Sequence, residues 1–176
     1  WLGQSVEAAS HYDTALEIAP HYSDAWLNLG KLRQDENRLD DAKDCYENAL
    51  KYEPNMAEAH SNLGNIHHQT GQVDEALAAY ARAENANPQY VEAIFNKAII
   101  QAEIGRIEEA IDSYRAVVDA NPHHIEAVCG LGEALEVIGK EAEAEACYRT
   151  ASKISPRQVP EESATRLHYK LGRSFD

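Results

Sequence analysis

The chain has 176 residues, 44% of them hydrophobic and 26% charged, a balance that excludes a disordered tail. No apolar run approaches the ~20 residues of a bilayer-spanning helix, so no membrane role is expected. Thirty acidic residues against sixteen basic ones leave a formal charge of −14, a field that repels a nucleic-acid backbone and fits basic or neutral partners. Cys45, Cys129 and Cys147 have no short pairing spacing, which supports neither a disulfide framework nor a C-x-x-C site and favours a reducing compartment. The opening Trp1-Leu2-Gly3-Gln4 shows no targeting signal, and the expected location is cytoplasmic.

A single period organises the residues. Pro20, Pro54, Pro88, Pro122 and Pro156 follow one another at intervals of 34. Tyr12, Tyr46, Tyr80, Tyr114 and Tyr148 keep the same step, as do Ala8, Ala42, Ala76, Ala110 and Ala144. Each period reads as two helices. Taking 57–90, the stretch Ala57 to Thr70 carries small and apolar residues at helical spacing and no proline. Gly71-Gln72 breaks it, since glycine accepts the left-handed turn that ends a helix. Asp74 opens a second helix, with acidic residues where the helix dipole favours them. Ala76, Tyr80 and Ala83 form its buried stripe, and Pro88 ends it. Alanines let the helices approach, and the tyrosine fills the gap beside them. A lone hairpin cannot bury its apolar face, so neighbours must stack.

Leu29-Gly30, Leu63-Gly64 and Leu131-Gly132, each followed at fixed distances by Ala, Tyr, Ala and Pro, make the chain resemble the tetratricopeptide repeat family. The resemblance covers nearly the whole chain. It implies an all-α, right-handed superhelical solenoid of antiparallel helix hairpins with a 34-residue period.

In chain order, residues 1–22 match the second half of a truncated unit. Full units are expected at 23–56, 57–90, 91–124 and 125–158. Residues 159–176 read as a connection and the start of a further unit or capping helix, with Leu171-Gly172 in the first-helix pattern. Both ends read as cut from a longer array. The departures from the pattern are specific. Asn37 stands where later units have Gly71, Gly105 and Gly139, and Asn is the next-best residue for a left-handed position. Lys97-Ala98 replaces Leu-Gly in the third unit, with the lysine stem expected to pack and its head to reach water. Arg33, His67 and Gln101 replace the usual first-helix tyrosine.

The resemblance places the first helices along a concave groove. Carried onto this sequence, the groove faces are Asp24, Leu27, Asn28, Lys31 and Gln34, then Glu58, Ser61, Asn62, Asn65 and His68. The third unit contributes Glu92, Phe95, Asn96, Ile99 and Glu103, and the fourth Glu126, Cys129, Gly130, Glu133 and Glu136. The candidate peptide-binding residues among these are Asn28, Lys31, Asn62, Asn65, His68, Phe95, Asn96, Ile99 and Glu133. Asn28, Asn62 and Asn96 share one register, and an Asn amide offers donor and acceptor side by side, matching an extended backbone whatever its side chains. Leading helices spaced on the order of 10 Å would meet a strand rising about 3.3 Å per residue once every three residues. This set is similar to the asparagine ladder in the repeat region of O-linked N-acetylglucosamine transferases. Repeats that clamp a chaperone's C-terminal carboxylate need Lys and Arg in the groove. Glu92, Asn96, Glu126 and Gly130 stand there instead, and the two glutamates would repel a carboxylate.

No pair of histidines has the i, i+4 spacing of a helical metal site, and no H-E-x-x-H, P-loop, G-x-S-x-G or dinucleotide fingerprint occurs. His123-His124, just after Pro122, read as an exposed turn. No metal, cofactor or catalytic group is expected in these residues. The leading reading is a noncatalytic scaffold that binds a protein or peptide, the later groove residues suiting a basic, partly apolar segment. Two alternatives differ in class. One is the substrate-recruiting arm of a larger glycosyltransferase or sulfotransferase whose catalytic domain lies outside this chain. The other is a self-assembly module that associates through open repeat ends.

Overall fold

The computed structural model describes residues 2–154, with side chains from Glu7 onward, and these form nine α-helices and no strand. The connection and further helix expected over 159–176 lie outside the described residues. The helices are α1 (Leu2–Ile18), α2 (Ser23–Asp35), α3 (Leu39–Tyr52), α4 (Ala57–Gln69), α5 (Val73–Ala86), α6 (Val91–Glu103), α7 (Ile107–Ala120), α8 (Ile125–Val137) and α9 (Glu141–Ile154). The first residues of α2, α4, α6 and α8 step by 34, as do those of α3, α5, α7 and α9. α5 begins at Val73, one residue ahead of the expected Asp74. Gln72 supplies the cap position without a side-chain bond, so Asp74 and Glu75 fall inside the first turn.

The punctuation follows from backbone chemistry. Gly71, Gly105 and Gly139 have φ of 76°, 79° and 77°, and Asn37 takes the same left-handed turn at φ 58°. At each, the following N–H reaches back across the turn: Arg38 to the Arg33 carbonyl and Gln72 to His67 (both 2.8 Å), Arg106 to Gln101 (2.8 Å) and Lys140 to Leu135 (2.9 Å). These bonds satisfy carbonyls that the helix end would leave orphaned. At the other end of a hairpin, proline has no N–H to continue the ladder. Around Pro88 the Asn87 Oδ1 accepts from the Gln89 N–H at 3.0 Å, and Asn121 does the same for His123 at 3.1 Å around Pro122.

Contacts divide the chain between Ala93 and Ile94 into two compact units. In the first, Ala42, Tyr46 and Ala49 of α3 pack with Ala59, Leu63 and Ile66 of α4, while Ala9 and Leu16 of α1 meet Ala25 and Leu29 of α2. In the second, Ile125, Val128 and Cys129 of α8 close on Ala151 of α9.

In three of the hairpins the tyrosine of the second helix is the centre. Tyr46, Tyr80 and Tyr148 lie over Gly30, Gly64 and Gly132, where a Cβ would fall 2.5, 2.6 and 2.7 Å from the ring. Only glycine lets the ring in. Each hydroxyl then donates back to the first helix: Tyr46 to Gln34 Oε1 (2.8 Å), Tyr80 to Asn65 Oδ1 (2.6 Å) and Tyr148 to Glu136 Oε2 (3.3 Å). Burial of such a ring stabilises by about 1.5–3 kcal/mol, and the hydrogen bond answers its one polar atom.

Candidate functional site

In the first unit the leading helices are α2 and α4. Asn28 and Asn62 occupy matching turns and are both half-buried. The two amides nearest each other on α4 have different tasks. Asn65 accepts the Tyr80 hydroxyl and so belongs to the hairpin core as much as to the surface. Asn62 Nδ2 is buried and has no hydrogen-bond partner. Lys31 forms an ion pair with Glu58, joining α2 to α4. His68 is half-buried on α4. Leu27 and Ser61, expected on the groove face, are instead buried. Leu27 joins the core beside Leu63, and Ser61 has no exposure at all. A turn of about 100° per residue carries those positions off the open face and into the seam between helices.

In the second unit α6, α7 and α8 surround a cleft of about 360 Å³. Phe95, Ile99, Tyr114, Ile125 and Cys129 make its apolar floor, and Glu103, Glu126 and Glu133 stand on its rim. The structure therefore brings together Phe95, Ile99 and Glu133 of the expected set. Asn96 lies half-buried on α6 of the same unit. Size and apolar lining both suit a ligand-binding concavity.

Three residues of this site escaped the sequence reading. Tyr114 was assigned to the core, yet it lines the cleft, with its ring centroid 6.1 Å from that of Phe95 at a tilt of 57°. Burial pushes the Tyr114 phenol up to about 12, with the Glu133 and Glu103 charges adding to the effect. His124 is not simply an exposed turn residue. Its Nδ1 accepts the Ala127 N–H at 3.3 Å, capping α8, and its ring lies 4.5 Å from Phe95. Ile125 completes the floor from the first residue of α8. The visible signals were Ala98 in place of glycine and Gly130 in place of asparagine.

Lys97 is half-buried, and Gln101, which replaces the usual tyrosine, is buried. Gln101 accepts the Ser113 hydroxyl at 2.8 Å and donates to Glu109 at 3.2 Å, so its polarity is answered inside the third hairpin. The cysteines sit in apolar surroundings, and burial raises Cys45 and Cys129 to about 11. Among the described residues no group of three or more His, Cys, Asp or Glu side chains is placed to hold a metal ion. None of the described helices is long and apolar enough to cross a membrane.

These stacked hairpins define a class. Tetratricopeptide repeat models match residues 27–91 and 95–159, and a further one matches 2–47. The chain belongs to the tetratricopeptide repeat family, and its fold is an all-α repeat solenoid. Among solved structures it is similar to MamA, at 24% identity and a TM-score of 0.79 over 89% of this chain and 91% of that one. It is also similar to YrrB, described as a TPR protein with an unusual peptide-binding site. That likeness has 25% identity and a TM-score of 0.74 over 96% of this chain and 84% of that one. A MamA RS-1 double mutant matches at 17% identity and a TM-score of 0.77, over 88% of this chain and 86% of that one. No curated protein matches the sequence.

Proposed function

We propose that the chain is a noncatalytic scaffold that holds an extended segment of another protein against its leading helices. The observation that carries this is the Asn62 amide nitrogen, buried without a partner while its neighbour Asn65 is committed to Tyr80. A buried donor left unanswered costs about 1–3 kcal/mol, and a carbonyl of a bound backbone would answer it. Asn28 carries the same group at the matching turn of α2, and Asn96 holds the same register on α6. Backbone pairing of this kind tolerates many side chains, so selection falls to Phe95, Ile99 and Glu133. The net charge of −14 favours a basic segment. Lys31, paired with Glu58, and His68 flank the amides on α2 and α4. The peptide-binding site by which YrrB is described supports the same reading.

The test is a phage-displayed peptide library panned on the immobilised 176-residue chain. Enriched peptides should lose affinity for an Asn28→Ala/Asn62→Ala variant whose helicity, by circular dichroism, is unchanged. If no segment enriches, the scaffold reading ends. If enriched peptides bind the variant as well as the parent, the amides have no part in it.

A further inference from the structure

In the four complete hairpins the second-helix tyrosines divide three to one. Tyr46, Tyr80 and Tyr148 each sit over a glycine of their own hairpin and donate a hydrogen bond to its first helix. Tyr114 does neither. Its hairpin carries Ala98, buried, where the others carry Gly30, Gly64 and Gly132. In those three hairpins a methyl at that point would lie 2.5–2.7 Å from ring carbons, closer than packed atoms approach. The third hairpin's socket is closed to a ring placed like the other three.

Tyr114 stands instead over Gly130 of α8, where an added Cβ would meet Cζ at 2.7 Å and the hydroxyl at 3.0 Å. Gly130 is itself the exception at the register that Asn28, Asn62 and Asn96 occupy elsewhere. The two exceptions form one arrangement: a methyl at 98 shuts the ordinary seat, and the missing side chain at 130 opens another. The consequence is a tyrosine turned into the cleft. The residue is only 5% exposed, and among the described residues none bonds its hydroxyl. Beside it stand the Phe95 ring and the carboxylates of Glu103, Glu126 and Glu133. Glu126 also faces His124 Nδ1 at 3.3 Å. Aromatic faces attract cations, the more so when partly desolvated, and a phenol oxygen accepts as well as donates.

We infer that this cleft seats one arginine or lysine side chain of the bound segment, its cationic head between Phe95 and Tyr114 under the glutamates. The aliphatic stem would lie on Ile99 and Ile125, and one N–H of the head would donate to the Tyr114 oxygen. This rests on the scaffold reading and names the chemistry that its second unit selects.

The probes are four acetylated, amidated alanine pentapeptides whose central residue is arginine, lysine, citrulline or norleucine. Each is titrated into the full chain while the Phe95 and Tyr114 ring resonances are followed by NMR. The arginine and lysine peptides should shift both rings and bind about tenfold more tightly than citrulline and norleucine, the scale of a desolvated cation–π contact. A preference between arginine and lysine would identify which head the cleft favours. Gly130→Asn should refill the cleft and abolish the shifts. Glu133→Gln, at an exposed position, should weaken cation binding about threefold without affecting norleucine, with the far-ultraviolet circular dichroism of the parent retained. Equal binding of the neutral peptides, or no ring shift with any probe, would overturn the assignment. Library-selected peptides that still bound in that case would leave the scaffold standing, whereas absence of both would remove the two readings together.

Discussion

Tyr114 and Gly130 belong to different hairpins, yet the tyrosine ring fills the space that a side chain at position 130 would need, 2.7 Å from the site of its Cβ. The other three tyrosines fill a glycine seat inside their own hairpin. This exchange gives the second unit its cleft, and it sets Tyr114 apart from Tyr46, Tyr80 and Tyr148 in ways that experiments can read.

Removing the hydroxyl separates them first. Tyr80→Phe deletes the bond to Asn65 and should cost about 0.5–1.5 kcal/mol, whereas Tyr114→Phe should be close to neutral because no described partner is lost. Tyr80→Ala should cost about 3–5 kcal/mol. Urea denaturation followed by circular dichroism measures all three, and equal losses for the two phenylalanine variants would contradict the assignment.

Glycines at two kinds of position should respond for different reasons. Gly64→Ala places a methyl 2.6 Å from the buried Tyr80 ring and should destabilise by about 1–3 kcal/mol through overpacking. Gly71→Ala meets no atom within 4 Å but must hold φ near 76°, at about 1–2 kcal/mol. Changing Tyr80 to leucine in the same chain should relieve the first substitution and leave the second untouched.

Gln101 and Ser113 should be coupled. Ser113→Ala leaves the Gln101 carbonyl oxygen unanswered at a buried site and should cost about 1–3 kcal/mol. Adding Gln101→Leu should restore part of that loss, giving a double-mutant coupling energy of at least about 0.5 kcal/mol. Strict additivity would show that the bond contributes nothing.

Acid should act through His60. Burial lowers its pKa, a lowering that the hydrogen bond to the Pro54 carbonyl opposes and the Arg82 charge reinforces. The unfolded chain, with an imidazole near 6.5, then takes up the proton more readily than the folded one. The stability His60 contributes is therefore complete above about pH 6.5 and declines as the pH falls below it. His60→Gln should flatten the slope of unfolding free energy just below that pH, and an unchanged slope would assign the acid sensitivity elsewhere.

The thiols offer a simple check on the core. Cys45 and Cys129, both raised to about 11 by burial, should react slowly with Ellman's reagent in the native chain and rapidly in urea. Prompt native labelling would mean that the α2–α3 and α8–α9 seams open readily.

Helices, turns and hairpin cores were legible in the residues because their causes are local. Pro88 removes a donor wherever it sits, Asn37 and Gly71 accept a left-handed turn without help, and Ala76-Tyr80-Ala83 falls on one stripe by helical geometry alone. Glycine at 30, 64 and 132 likewise marks the seat of a ring in its own hairpin. The cleft was not legible in the same way. Ala98 and Gly130 were visible as departures from the repeat, but that they act together on Tyr114 depends on α7 packing against α8, a contact between neighbouring hairpins and not within one. The same holds for His124, which looks like a surface residue until Phe95 is laid against it. A repeating sequence determines its units through short-range sterics and backbone bonding, while the place where one side chain crosses into its neighbour's space is decided only when the units pack.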